Sequence, residues 1–158
     1  MSNLNVRYGL LFFAAIVFQL TLVKYIQVYN WGPDLILIVL VSFSLRKGPN
    51  AGMTAGFVTG LLQDLLSTHF LGLTALSKTI AGFLAGSLAG KFSRKTEFFL
   101  TLVIAGLVHD FCYFLIYTVG ENFSLQSLFI LYTIPNVLYT VLLGGFLHYL
   151  TAAWVEES

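Results

Sequence analysis

Residues 48–66 read GPNAGMTAGFVTGLLQDLL, with a glycine at every fourth position from Gly48 to Gly60. A second run of the same spacing follows, and the two ladders consist of Gly48, Gly52, Gly56 and Gly60, and of Gly82, Gly86 and Gly90. Residues four apart lie on nearly the same face of a helix, so each ladder predicts a groove that another backbone can approach closely. The ladders either pack within one helical bundle, or one of them receives a partner's transmembrane helix.

The composition of the whole chain places such helices in a membrane. Of its 158 residues, 58% are hydrophobic and 9% are charged, whereas soluble domains carry about 25% charged residues. We therefore expect a single all-α integral membrane domain over residues 1–158. The net charge of +1 and the lack of a basic cluster interleaved with aromatics argue against nucleic-acid binding. The single cysteine, Cys112, excludes a disulfide framework.

Charged residues divide the chain into six apolar segments, each predicted to be a helix of one compact bundle. A full span needs about 20 residues, and the second segment is short for one, so five spans with a re-entrant piece are an alternative. No small-residue cleavage motif follows the first segment, which we therefore interpret as an uncleaved span. The predicted spans are residues 8–23, 34–45, 51–66, 71–90, 98–119 and 126–152.

The basic residues of the short loops predict the orientation of the bundle. With the N-terminus in the cytoplasm, six basic residues fall inside and only Lys24 falls outside, which is the bias expected of a bacterial inner-membrane protein. Both termini are then cytoplasmic. The inside residues are Arg7, Arg46, Lys47, Lys91, Arg94 and Lys95.

Charged side chains at membrane depth are costly, and two of them follow one another across a predicted hairpin. Asp64 ends the third segment, and Lys78 lies about two turns into the fourth. A turn at residues 67–71 would bring them together. The sequence therefore predicts an Asp64–Lys78 ion pair that locks the hairpin.

A second group of polar residues shares one depth in the last two segments. His109 and Asp110 lie near the middle of the fifth, and Asn136 follows the helix-kinking Pro135 in the sixth. Hydrogen bonding between helices is the favoured interpretation, and a small polar cavity that also includes Tyr139 is the alternative. Neighbouring residues on a helix diverge by about 100°, so we expect that His109 and Asp110 do not both point into one site.

Pro33 and Asp34 precede the second segment and form a typical helix start. Proline lacks the N–H that would be unpaired at a first turn, and a carboxylate is stabilised by the positive end of the helix dipole. We therefore expect a structural capping role for this dipeptide.

No catalytic constellation is recognisable in the sequence. It has no nucleophile elbow, no paired-histidine zinc motif and no phosphate-binding loop. The three histidines lie at different depths, so a metal site is not expected. We predict a non-catalytic protein without a cofactor.

The ordered combination of these motifs resembles the rod shape-determining MreD family. It runs from PDLIL at residues 33–37 through LRKGP at 45–49 and GLLQDLL at 60–66 to LGLTALSK at 71–78 and the second ladder. The resemblance covers about residues 33–95 well, and it extends to the rest of the chain only in length and hydropathy.

The resemblance implies a scaffold or regulator of the bacterial cell-elongation complex, which builds peptidoglycan. Direct binding to MreC is expected, with the glycine ladders as the packing face for its single transmembrane helix. The wider complex would contain MreB, RodA and a class B penicillin-binding transpeptidase, with membrane lipids as further contacts. The fold is expected to be similar to that of the substrate-binding subunits of energy-coupling-factor transporters.

That likeness also supplies the alternative function, a vitamin-binding subunit of such a transporter. Those subunits carry an Ala-x-x-x-Ala pattern on the first helix, whereas here Ala14 and Ala15 are adjacent. A lipid-modifying enzyme using His109 and Asp110 is a weaker alternative.

Overall fold

The computed structural model describes residues 2–26, 31–66, 70–119 and 124–156, and it confirms the all-α fold class. A π-helical turn, Phe129–Thr133, joins the last two helices. Six helices in these described ranges are long, namely α1 (Ser2–Thr21), α3 (Leu35–Lys47), α4 (Pro49–Leu66), α5 (Leu73–Ser87), α6 (Glu97–Tyr117) and α8 (Ile134–Glu156). Two are short, namely α2 (Val23–Ile26) and α7 (Leu125–Leu128).

Among the described residues, three stretches are long and apolar enough to cross a membrane, namely Leu4–Thr21, Glu97–Tyr117 and Gln126–Leu150. They correspond to the first, fifth and sixth predicted segments. The other three long helices of the described chain, α3, α4 and α5, are too short or not apolar enough to meet this criterion. The 13 residues of α3 extend about 20 Å, against about 30 Å of hydrocarbon, so the count of six spans stays a prediction.

The short helix α3 lies at the centre of the bundle, in contact with α1, α4, α5, α6 and α8. Ile36, Leu40 and Val41 are completely buried among these neighbours. Burying an aliphatic side chain of this kind stabilises a fold in water by about 1.5–3 kcal/mol, and in lipid close packing takes over that role. Because other helices surround α3, it does not itself need the length of a lipid-facing span.

A single residue, Gly48, separates α3 from α4. Its backbone has φ +87°, its N–H donates to the Ser44 carbonyl at 2.8 Å, and its carbonyl accepts from Gly52 N–H at 3.0 Å. Only glycine adopts this conformation without strain, and Pro49 then takes the first position of the next helix, where no donor is needed. Gly48 therefore forms the reversal and does not contribute to the ladder.

The remaining glycines of the first ladder lie directly against α5. A Cβ added to Gly52, Gly56 or Gly60 would come within 3.0 Å of backbone atoms of α5. The atoms that it would meet include the carbonyl oxygens of Gly82, Lys78 and Thr74.

The second ladder lies against the first. A Cβ at Gly82 would meet the carbonyl of Gly52, and one at Gly86 would meet the backbone at Pro49. Gly90, at φ +75° with nothing within 4 Å, lies beyond the interface. The internal-packing interpretation is therefore correct. The idea that a ladder receives a partner's helix is wrong, because each ladder already packs against the other.

Helices α7 and α8 follow one another through the π-helical turn just before Pro135. The N–H of Ile134 donates to the carbonyl of Phe129, five residues back. A π turn widens the helix where proline cannot donate, which is a recognised cause of a local bend. The break predicted at Pro135 thus takes the form of a π-helical bulge that ends two residues earlier, at Thr133.

Candidate functional site

The backbone that leads into α3 is irregular at residues 31–34, and side chains of α1 bind it. Gln19 donates through Nε2 to the carbonyl of Pro33 at 3.2 Å and accepts through Oε1 from Leu35 N–H at 2.7 Å. Irregular backbone at membrane depth is tolerated only where protein or a polar cavity satisfies it. One glutamine thus supplies both a donor and an acceptor to this turn.

Two side chains of α8 bind the same turn from the opposite side. The N–H of Gly32 donates to Asn136 Oδ1 at 3.2 Å, and the N–H of Asp34 donates to Thr140 Oγ1 at 3.0 Å. Four side-chain hydrogen bonds therefore fix the entrance of the central helix.

Asp34 is the N-cap of α3, which agrees with the expected helix start. Its Oδ1 accepts from Leu37 N–H at 2.9 Å, and its Oδ2 is ion-paired with the Lys78 ammonium. The Lys78 side chain is completely buried, so this contact supplies the counter-ion that such a charge requires. Lys78 pairs with Asp34 across 44 residues, and the predicted pairing with Asp64 is wrong.

Asp64 instead caps α5, and its burial is nearly complete. Its carboxylate accepts three backbone N–H groups, those of Gly72 at 2.9 Å, Thr74 at 3.2 Å and Ala75 at 3.1 Å. The cap residue Gly72 offers no side-chain acceptor, so the unpaired N–H groups of the first turn are open to a carboxylate from outside. This demand explains why Asp64 is not the partner of Lys78.

His109 and Asp110 form a hydrogen-bonded pair on α6. Nδ1 of His109 lies 2.9 Å from Asp110 Oδ1, and its Nε2 lies 4.0 Å from Asp34 Oδ2. Both side chains line one cavity, so the expectation that they diverge from a common site is wrong. The two residues occupy neighbouring positions on α6, and the hydrogen bond between their side chains draws both toward the cavity.

These residues surround a polar cavity of about 310 Å³ beside the entrance of α3. The short central helix makes room for it, since the bundle continues where α3 has not yet begun. Leu102, Gly106, Val137 and Phe114 are among its apolar walls. Its polar lining consists of Gln19, Asp34, Gln63, Thr74, His109, Asp110, Tyr113, Asn136 and Thr140.

Three polar atoms that line this cavity have no hydrogen-bond partner in the described part of the chain. They are Gln63 Oε1, His109 Nε2 and Asp110 Oδ2. The His109 side chain keeps only 9% of its surface exposed. A buried polar atom without a partner costs about 1–3 kcal/mol, so an arrangement of three calls for a bound group or for water.

Three of the nine polar residues that line this cavity were predicted from the sequence to share one. His109, Asp110 and Asn136 meet as the cavity alternative predicted, whereas the Tyr139 hydroxyl donates to the carbonyl of Ile26 at 3.1 Å and lies outside the lining. Gln19 and Gln63 were missed as lining residues.

The missed residues did carry a signal. Each is a polar side chain within an apolar segment, as are Thr74 and Thr140, and polar groups at membrane depth mark functional positions. Within the described ranges, no group of three His, Cys, Asp or Glu side chains is arranged to hold a metal ion. His69 lies outside the described residues.

A bundle of apolar helices in close backbone contact, three of them long and apolar enough to cross a membrane in the described part of the chain, defines an α-helical membrane protein. The family model of the rod shape-determining protein MreD matches residues 2–156, and the chain belongs to that family of shape-determining membrane proteins. No curated protein and no solved structure matched the chain. The match assigns it to shape determination and not to the vitamin-binding transporter subunits.

Proposed function

We propose that this protein is a non-catalytic scaffold or regulator of the bacterial cell-elongation machinery, and that it binds MreC through a transmembrane helix face. The observation that carries the proposal is the family match over nearly the whole chain. MreB, RodA and a class B penicillin-binding transpeptidase are the proposed partners in the wider complex.

The contact face proposed for MreC lies on α1, because the glycine ladders are already occupied. The least buried of the three span-length helices is α1, and it exposes a stripe at Val6, Leu10, Phe13 and Val17. The 4-3-4 spacing of this stripe is that of the seam between two coiled helices. A single transmembrane helix fits such a seam.

The test is co-purification of MreC from native membranes with two matched double variants. Leu10→Ala with Phe13→Ala truncates the α1 stripe, and Leu142→Ala with Phe146→Ala removes equally exposed side chains from α8. We expect at least a tenfold loss of MreC with the first variant and none with the second. Loss only with the α8 variant would move the interface there, and failure of the unmodified protein to retain MreC would overturn the binding proposal.

The proposed location is the bacterial inner membrane, with six passes and both termini in the cytoplasm. The support is the distribution of basic residues, since Arg46 and Lys47 end α3 while Lys91, Arg94 and Lys95 follow α5. Single cysteines at Ser93 and Ser124, in a variant that lacks Cys112, test this topology. A membrane-impermeant thiol reagent applied to intact spheroplasts should label position 124 and not position 93; the reverse pattern would refute it.

A further inference from the structure

Two carboxylates line the polar cavity, and no lysine or arginine of the described chain does. Asp34, His109 and Asp110 line it, while Lys78 is buried behind Asp34 and lies outside the lining. The ion pair with Lys78 accounts for the charge of Asp34. The carboxylate of Asp110 contacts the imidazole of His109, and no lysine or arginine of the described chain lines the cavity beside it.

Two of the three unpartnered atoms of the cavity are oxygen acceptors, and the third is a ring nitrogen of His109. The contact with Asp110 occupies Nδ1 of His109, so Nε2 is the ring nitrogen that remains open to a ligand. The other two unpartnered atoms, Gln63 Oε1 and Asp110 Oδ2, are the oxygen acceptors. The vacant positions therefore favour a group rich in donors.

An aromatic wall adds a second attraction for a cation. Tyr113 and Phe114 line the cavity. The ring of Tyr113 stacks on those of His109 at 6.4 Å and Tyr117 at 6.1 Å, so Phe114 is the lining ring that is not stacked on another ring of the described chain. A cation within about 6 Å of an aromatic face is stabilised by the ring quadrupole, most strongly where water is excluded. Oxygen acceptors, a carboxylate without a lysine or arginine partner and an aromatic ring together match an organic ammonium.

We propose that this cavity binds a small organic cation with a primary ammonium group, and that Asp110 is its counter-ion. Its volume of about 310 Å³ is at the small end of the range for ligand sites, which begins near 300 Å³. A free amine and the aminoethyl headgroup of a lipid present the same chemistry. The inference is independent of MreC binding.

The experiment uses purified full-length protein in detergent with three probes of similar size. Ethanolamine carries the ammonium, ethylene glycol replaces it by a hydroxyl, and glycolate carries a negative charge. We expect saturable binding of ethanolamine by calorimetry and a rise in Tm, with neither effect from the other two. An equal response to ethylene glycol would overturn the proposal, because the cavity would then be merely a polar, water-filled space.

Two variants on one helix show whether Asp110 is responsible. Asp110→Asn should raise the Kd for ethanolamine at least tenfold. Glu97→Gln makes the same change at the first residue of α6, outside the lining, and should leave the Kd unchanged. Unaltered binding by Asp110→Asn, or an equal loss in both variants, would refute the assignment.

Two further measurements are needed. One distinguishes weakened binding from loss of the fold, and the other identifies the source of the natural ligand. Gln63→Met removes another acceptor without touching a charge, and it should weaken ethanolamine binding several-fold while the protein stays monodisperse; unchanged affinity would contradict the site. In nanodiscs, phosphatidylethanolamine should abolish the ethanolamine response if the natural ligand is a lipid headgroup, and phosphatidylglycerol should not. A response that persists in both lipids identifies a free amine.

Discussion

The interface of α4 with α5 and the polar cavity adjoin one another, yet they are built in opposite ways. At Gly52, Gly56 and Gly60 the two backbones approach so closely that a methyl group finds no room. One turn beyond Gly60, Gln63 lines a cavity of about 310 Å³ with an acceptor that has no partner. The first region is filled by close backbone packing, whereas the second is a cavity lined by polar groups.

The difference shows how stability and binding capacity are separated in this bundle. Close packing is a main source of helix attraction in lipid, so the glycine interface stabilises the fold. Unpartnered polar atoms do not stabilise the fold, and such sites typically trade stability for function. Substitutions in the two regions should therefore differ in size and even in sign.

The largest effect is expected from Gly56→Leu. Its side chain would have to displace the backbone at Lys78, which no rotamer change can relieve. We expect loss of the folded, monodisperse protein in size-exclusion chromatography. The control is Gly9→Leu on α1, where nothing lies within 4 Å of an added Cβ and the yield should be normal. Equal yields would mean that the interface is looser than described.

The next largest effect concerns the ion pair beside the cavity. Lys78→Met leaves Asp34 as an uncompensated buried charge and should cost about 3–5 kcal/mol, while adding Asp34→Asn should recover much of that loss. The measurement is a double-mutant cycle on unfolding free energies. A cycle of Lys78→Met with Asp64→Asn should show far smaller coupling. Strong coupling in that cycle would instead support an ion pair between Lys78 and Asp64.

The ladders and the helix start could be predicted because both depend on local geometry. Spacing of four residues fixes a helix face, and Pro33-Asp34 forms its cap within one turn. The partner of Lys78 could not be predicted in this way, since it depends on α3 lying between α1, α5 and α6. Sequence proximity favoured Asp64, but the unpaired N–H groups at the start of α5 bind that carboxylate.

The cavity was predictable in part, for a related reason. The position of a residue along its span indicates its depth in the membrane. His109, Asp110 and Asn136 were grouped in this way, because they lie at similar depths. Depth does not show which helices are neighbours or how far each extends. The cavity exists because α3 begins late, and its first turn is held by Gln19 of α1, which no motif identifies.

A smaller loss is expected from the cap of α5. Asp64→Asn replaces one carboxylate oxygen by a donor that faces backbone N–H groups, so it should cost about 1–3 kcal/mol. Thermal unfolding followed by circular dichroism would measure it. Asp64→Ala, which removes every acceptor, is the comparison and should cost more; an equal or smaller cost would show that the cap contributes little.

Removal of one bond to the entrance of α3 should cost less again. Thr140→Val keeps the shape of the side chain and leaves Asp34 N–H without its acceptor, for a loss of about 1 kcal/mol in unfolding free energy. Thr21→Val on α1 is the matched control, because that hydroxyl donates to a carbonyl of its own exposed helix face. A larger loss from the control would contradict the importance of the turn.

The smallest effect, and the one expected to have the opposite sign, comes from the cavity itself. Asp110→Asn keeps the acceptor for His109 and removes a carboxylate charge that Lys78 does not balance. Without ligand, the unfolding free energy should stay within about 0.5 kcal/mol of the original or rise, because a largely buried carboxylate without a lysine or arginine partner is costly. Thermal unfolding of the ligand-free protein measures this. Destabilisation by more than about 2 kcal/mol would show that Asp110 supports the fold, and the contrast between a packed interface and an open site would then fail.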